Sequence, residues 1–137
     1  MTHKFLEHAA DVKFQAEANT LEICFVECAK ALSETILGDV KIEERIIRDI
    51  IVEGKDNESL LYNFLEEFLV LLDSEEFLLS KIERIEIDKE NFKLKATILG
   101  DKTQNYKFTN DVKAVTYNEM FVKQKNDKWT AQVVLDV

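Results

Sequence analysis

Proline is absent from this chain, and glycine occurs only three times in 137 residues. Three glycines cannot build a glycine-rich phosphate loop or the strained Gly-x-Ser-x-Gly turn of a hydrolase nucleophile. Histidine is confined to positions 3 and 8, so a zinc centre built on two or three histidines has almost nothing to draw on. Cysteine occurs only at Cys24 and Cys28, too few for a disulfide framework and without the neighbours a metal knot needs. Four apart on an expected helix, the two thiols share a face and read as small buried apolar groups in a reducing cytoplasm. No apolar run approaches the ~18 residues of a membrane span, and residues 1–8 carry no apolar signal core. A soluble, unexported protein is expected. Positive charge is also short: 18 Lys and Arg stand against 27 Asp and Glu, a net −9. Binding to naked nucleic acid depends on basic side chains neutralising phosphates, so no direct nucleic-acid binding is expected. A role in RNA biology would run through a protein that holds the RNA.

What is present suits one domain spanning residues 1–137, with 46% hydrophobic residues to fill a single core. Residues 11–18 alternate, with Val12, Phe14 and Ala16 on one side and Lys13, Gln15 and Glu17 on the other, the pattern of a half-buried strand. Asn19 and Thr20 then cap a helix in which Leu21, Cys24, Phe25, Cys28, Leu32 and Ile36 recur at three or four, ending at Gly38. Residues 42–53 are dense in Ile and Val and predict a strand closed by Gly54. Asp56 and Asn57 cap a second helix with an apolar face of Leu60, Leu61, Phe64, Leu65, Phe68, Leu69 and Leu72. Residues 77–87 and 92–98 form a hairpin about the turn at 88–91. Gly100 then opens a polar loop carrying Tyr106 and Phe108, and strands at 112–123 and 129–137 flank a turn at 124–128. The expected fold is α+β: a two-layer single domain with two helices packed on a mixed, mostly antiparallel sheet. A parallel pair is expected through the first helical crossover.

The candidate chemistry lies in carboxylates at the two ends of the chain. Asp11 opens a strand, where Asp is disfavoured. Asp136 stands at the close of Val133-Val134-Leu135-Asp136-Val137. If those strands are neighbours, the two aspartates and the carboxyl of Val137 meet, and like charges that close must protonate or share a cation. Oxygen-only ligation suits Ca²⁺ or Mg²⁺, with Mn²⁺ also compatible, and disfavours Zn²⁺. The plainer alternative leaves Asp11 capping a turn and Asp136 in solvent. Lys113 is either a solvent-facing lysine or an ammonium beside the carboxylates. His8 orients the turn before Asp11 or serves as a ligand, the first being the simpler role.

The ordered set of segments resembles the archease family nearly end to end. The resemblance rests on His8-Ala9-Ala10-Asp11-Val12, Thr20-Leu21-Glu22 with Phe25, and Asp56 with Leu60-Leu61-Tyr62, Phe64-Leu65 and Glu67. Lys113-Ala114-Val115-Thr116-Tyr117 and the closing Asp136-Val137 carry it most specifically. It implies a non-catalytic accessory protein for RtcB-type RNA ligases of tRNA splicing, promoting guanylylation of the ligase and repeated turnover. It also implies a divalent-cation site, usually discussed as Ca²⁺, on Asp11, Asp136 and Val137, with Lys113 as a second functional residue. The chain departs from the family pattern at Ala9, at Asn118, where His often follows Tyr, and in residues 101–111, which lack an Arg-His pair. Two rival functions are a chaperone or binding module for a tRNA-modifying enzyme such as a methyltransferase, and a metal-dependent hydrolase. The hydrolase has few acid–base groups to work with.

Overall fold

Capping and alternation account for most of the elements in the computed structural model, which describes residues 1–6 and 11–137. Strands β1 (Thr2–Leu6) and β2 (Val12–Ala18) are followed by helix α1 (Leu21–Leu37), β3 (Ile46–Glu53) and helix α2 (Asn57–Glu75). Next come β4 (Phe77–Asp88), β5 (Lys93–Lys102), a 3-10 turn (Thr103–Asn105), β6 (Ala114–Lys125) and β7 (Lys128–Asp136). The Thr20 hydroxyl caps α1 by accepting from the Ile23 N–H at 3.1 Å. Asp56 and Ser59 form a reciprocal capping box on α2, which satisfies N–H groups that would otherwise lack partners. Gly38 closes α1 at φ 75°, a conformation that side chains other than glycine rarely take.

The strands form two sheets, one ordered β1-β2-β7-β6 and the other β3-β5-β4. The α+β class stands, but the single mixed sheet of the sequence reading is replaced by two. Every pairing among the described residues is antiparallel. The parallel pair fails because α1 does not return the chain to the sheet it left; β3 joins β5 instead, and β2 takes β1 and β7 as neighbours. Both helices touch both sheets, and one continuous core results, with Phe14, Phe25, Phe64 and Phe77 fully enclosed. Enclosing each such side chain contributes roughly 1.5–3 kcal/mol. Cys24 and Cys28 lie in this core as expected, and burial pushes the Cys28 thiol well above its ordinary pKa. It stays a neutral packing group.

Two expectations need correction. Gly100 does not open a loop but lies within β5, where a Cβ would sit 2.0 Å from the Leu78 carbonyl oxygen and 2.5 Å from Phe77 Cζ. The approach of β4 dictates glycine there. Residues 42–45 precede β3 and are not part of it; the Ile42 carbonyl instead accepts from the Ser80 hydroxyl at 2.6 Å.

Strand β1 escapes a pattern reading because it is an edge strand with little burial. His3 fastens it to α1, with Nδ1 3.1 Å from Glu27 Oε1 and Nε2 2.7 Å from Glu34 Oε2. A neutral imidazole donates from one nitrogen only, so the imidazolium alone satisfies both carboxylates. Burial lowers the His3 pKa, but the bonds to Glu34 and Glu27 outweigh it and hold the ring above its ordinary value.

Candidate functional site

Strand β7 runs between β2 and β6, and this order assembles the site from opposite ends of the chain. Val12 pairs with Leu135, so one further step of the same register sets Asp11 opposite Asp136. On the other side of β7, Ala114 pairs with Asp136, and the Lys113 N–H donates to the Asp136 carbonyl at 2.7 Å. Asp136 lies in phase with Val134, whose partner is Lys13, and Asp11 lies two positions before Lys13 on the same alternation. Asp11, Asp136 and Val137 are half-buried, while Lys113 is exposed. The strand order thus gathers four of the five sequence-predicted residues at one end of one sheet. The fifth, His8, lies outside the described residues.

The segment that delivers Lys113 is held by contacts that pattern reading missed. The Thr109 and Asn110 N–H groups donate to the Ile36 carbonyl at 2.7 and 3.3 Å, and Asn110 Nδ2 donates to the Thr35 carbonyl at 3.0 Å. These bonds use carbonyls at the end of α1 that lack partners within the helix. Upstream, the Tyr106 hydroxyl donates to Asp101 Oδ2 at 2.8 Å and accepts from the Glu43 N–H at 3.0 Å, while Arg45 Nη1 lies 3.4 Å from the same carboxylate. Asp101 is 3% exposed. The Tyr106 bond, ahead of the Lys102 N–H and the Arg45 charge, holds its carboxyl below the usual range. The available signal was Asp101 after a strand glycine with Tyr106 five residues on, a pairing that alternation does not register.

Beyond Thr116, β6 takes five steps to reach Phe121 while β7 takes two from Val134 to Gln132. The three extra residues form a large, multi-residue bulge. Glu119 within it has φ 56°, its carbonyl accepts from Gln132 Nε2 at 2.8 Å, and its carboxylate pairs with Lys13 at 3.1 Å. Glu58 of α2 accepts the Val122 N–H at 3.0 Å. The bulge lays the Tyr117 ring flat on Tyr62 of α2, with centroids 4.2 Å apart and planes at 7°. A separate cavity of about 890 Å³ opens between Lys30, Ser33 and Glu34 of α1 and Ser80 and Lys81 of β4; it shares no residue with the strand-end site.

This arrangement has counterparts of known family. The archease protein family (MTH1598/TM1083) matches residues 3–137. The chain belongs to the archease family. Protein archease of Pyrococcus abyssi is 39% identical over 135 residues, covering 96% of this chain and 95% of its own. Protein archease of Methanosarcina acetivorans is 34% identical over 139 residues, covering 98% and 95%. The solution structure of Methanobacterium thermoautotrophicum protein 1598 superposes with a TM-score of 0.83 at 29% identity, covering 98% of each chain. A Thermotoga maritima archease, described as a possible chaperone, shares the fold with a TM-score of 0.66 at 21% identity, covering 98% of this chain and 96% of its own.

For this archease chain, the fit of a divalent cation rests on donor chemistry. The half-buried residues Asp11, Asp136 and Val137 would offer oxygen ligands only, the kind a hard cation takes. Among the described residues no three His, Cys, Asp or Glu side chains come together as a metal-ligating group. Water or main-chain oxygens would therefore complete a coordination shell.

Proposed function

We propose that this archease is a cytoplasmic, non-catalytic activator of an RtcB-type RNA ligase in tRNA splicing, promoting ligase guanylylation and multiple turnover. The reading is supported by family membership together with one observation: the register brings Asp11 and Asp136 to the same strand end as Lys113. Asp11, Asp136 and Val137 would hold a divalent cation, Ca²⁺ first and Mg²⁺ or Mn²⁺ next. Such an ion supplies concentrated positive charge for phosphate and carboxylate oxygens. The Asp136 backbone is held by the Lys113 N–H, next to the point where the β2–β7 ladder ends at Val12 and Leu135. Lys113 adds an exposed ammonium able to meet an acidic or phosphate group of the partner. The −9 charge favours encounter with a basic, RNA-binding ligase and disfavours direct binding to RNA.

The test is multiple-turnover RNA ligation by the cognate ligase with GTP and Mn²⁺, with and without this protein. Stimulation by substoichiometric amounts is expected. A competent ligase left unaffected by folded protein would overturn the reading and favour a chaperone or binding module for a tRNA-modifying enzyme such as a methyltransferase. The description of the Thermotoga maritima relative as a possible chaperone favours that second reading. So do Ile47 and Ile51, exposed on β3.

A further inference from the structure

Beyond the bulge, β6 pairs with β7 again from Phe121, three residues out of the earlier register. One consequence of the bulge is the placement of the Tyr117 ring. Tyr117 is 54% exposed and stacks on Tyr62 through one face, leaving the other to solvent. Two carboxylates, Glu66 and the α2 cap Asp56, lie near the pair. Burial, then the Glu66 carboxylate at its hydroxyl, raises the Tyr62 pKa; burial, then the nearby charges of Asp56 and Glu66, raises that of Tyr117. Among the described residues the chain's own cation–π contact lies elsewhere, Lys123 over Phe121 at 4.6 Å.

An exposed aromatic face with carboxylates near it suits a cation that is also planar. We infer that the Tyr62–Tyr117 stack, with Glu66 and Asp56, is a docking platform for an arginine side chain of a protein partner. A guanidinium stacks on the open ring and turns its N–H groups toward the carboxylates; the compact, strongly hydrated lysine head does this less well. A nucleobase would also stack on tyrosine, but its phosphates would then lie against Asp56, Glu66 and a chain of net charge −9. Tyr117 lies three residues along β6 from Ala114, the partner of Asp136, and faces α2. That the partner is the ligase rests on the function proposed above; the arginine chemistry does not.

Two measurements separate these claims. First, the full chain is titrated with a short arginine peptide while the tyrosine ring resonances are followed, with a lysine peptide and a single-stranded oligonucleotide as comparators. The Tyr62 and Tyr117 rings should shift most with arginine, Tyr106 should stay still, and Glu66→Gln should weaken binding by about two- to fivefold, the scale of an exposed ion pair. Rings unmoved by arginine, or moved more by the oligonucleotide, would overturn the platform. Second, affinity for the ligase is compared for wild type, Tyr117→Leu and Tyr117→Phe at matched thermal stability. Leu should lose about fivefold or more and Phe should stay near wild type. Full affinity with Leu would overturn the platform in that complex. Absence of wild-type ligase binding would count against the proposed function alone, leaving the peptide titration to decide the platform.

Discussion

The two sheets pack on the same pair of helices, yet they are built differently. The β3-β5-β4 sheet comes from one stretch of chain, and its tightest point is Gly100, pressed against the backbone of β4. The β1-β2-β7-β6 sheet interleaves the two ends of the chain and carries Asp11, Asp136, Lys113 and the bulge that lifts Tyr117. Close packing specifies the first sheet as a scaffold. In the second, backbone pairing across nearly the whole chain places polar groups that a local hairpin cannot bring together. Stability and function should therefore respond to different substitutions.

The comparison breaks most visibly at Gly100. Gly100→Ala should cost about 3 kcal/mol or more by forcing β4 off β5, read as a lower denaturant midpoint. Stimulation of the ligase should then fall only as far as the folded population falls. The converse is Asp11→Asn or Asp136→Asn. Each should lower ligase stimulation by roughly tenfold or more, the scale seen when groups supporting a metal site are removed, with unfolding free energy unchanged within about 0.5 kcal/mol. A proportional loss of stability and stimulation in all three variants would erase the distinction between the sheets.

Smaller effects sharpen it. The His3 pKa is raised in the folded state above its ordinary 6.5, so its contribution is fully present below that value and disappears as pH rises through the folded pKa. His3→Gln should destabilise by about 1 kcal/mol at acidic pH and by much less in alkali, read from unfolding midpoints at several pH values. The Asp101 carboxyl is held below its ordinary 3.8 chiefly by the Tyr106 hydroxyl. Its contribution is present above that value and disappears as pH falls through the folded pKa. Tyr106→Phe should therefore lower the melting temperature slightly at neutral pH, with the deficit narrowing in acid. A partial loss of stimulation should accompany it, because Tyr106 anchors the segment that delivers Lys113.

Local rules made much of this molecule legible. Alternation marks β2 and β5, periodicity and caps mark both helices, and Asp88 anchors the turn of the β4–β5 hairpin by accepting from the Glu90 and Asn91 N–H groups at 3.1 and 3.2 Å. The division into two sheets was not legible, because the choice of β5 as the partner of β3 follows from three-dimensional closure. Edge strand β1 gave too weak a burial pattern. The strand-end residues stood out as carboxylates in strand-like contexts, and their meeting depended on a β2–β7 register that alternation alone does not fix. The Asp101–Tyr106 contact and the three-residue bulge lay beyond period-two reasoning altogether.

The most direct measurement is multiple-turnover ligation by the cognate ligase with substoichiometric wild type, Asp136→Asn and Gly100→Ala, each scored per folded molecule. Wild type and folded Gly100→Ala should stimulate alike, while Asp136→Asn, fully folded, should not stimulate. Equal stimulation by Asp136→Asn would contradict a working site at the end of the β1-β2-β7-β6 sheet.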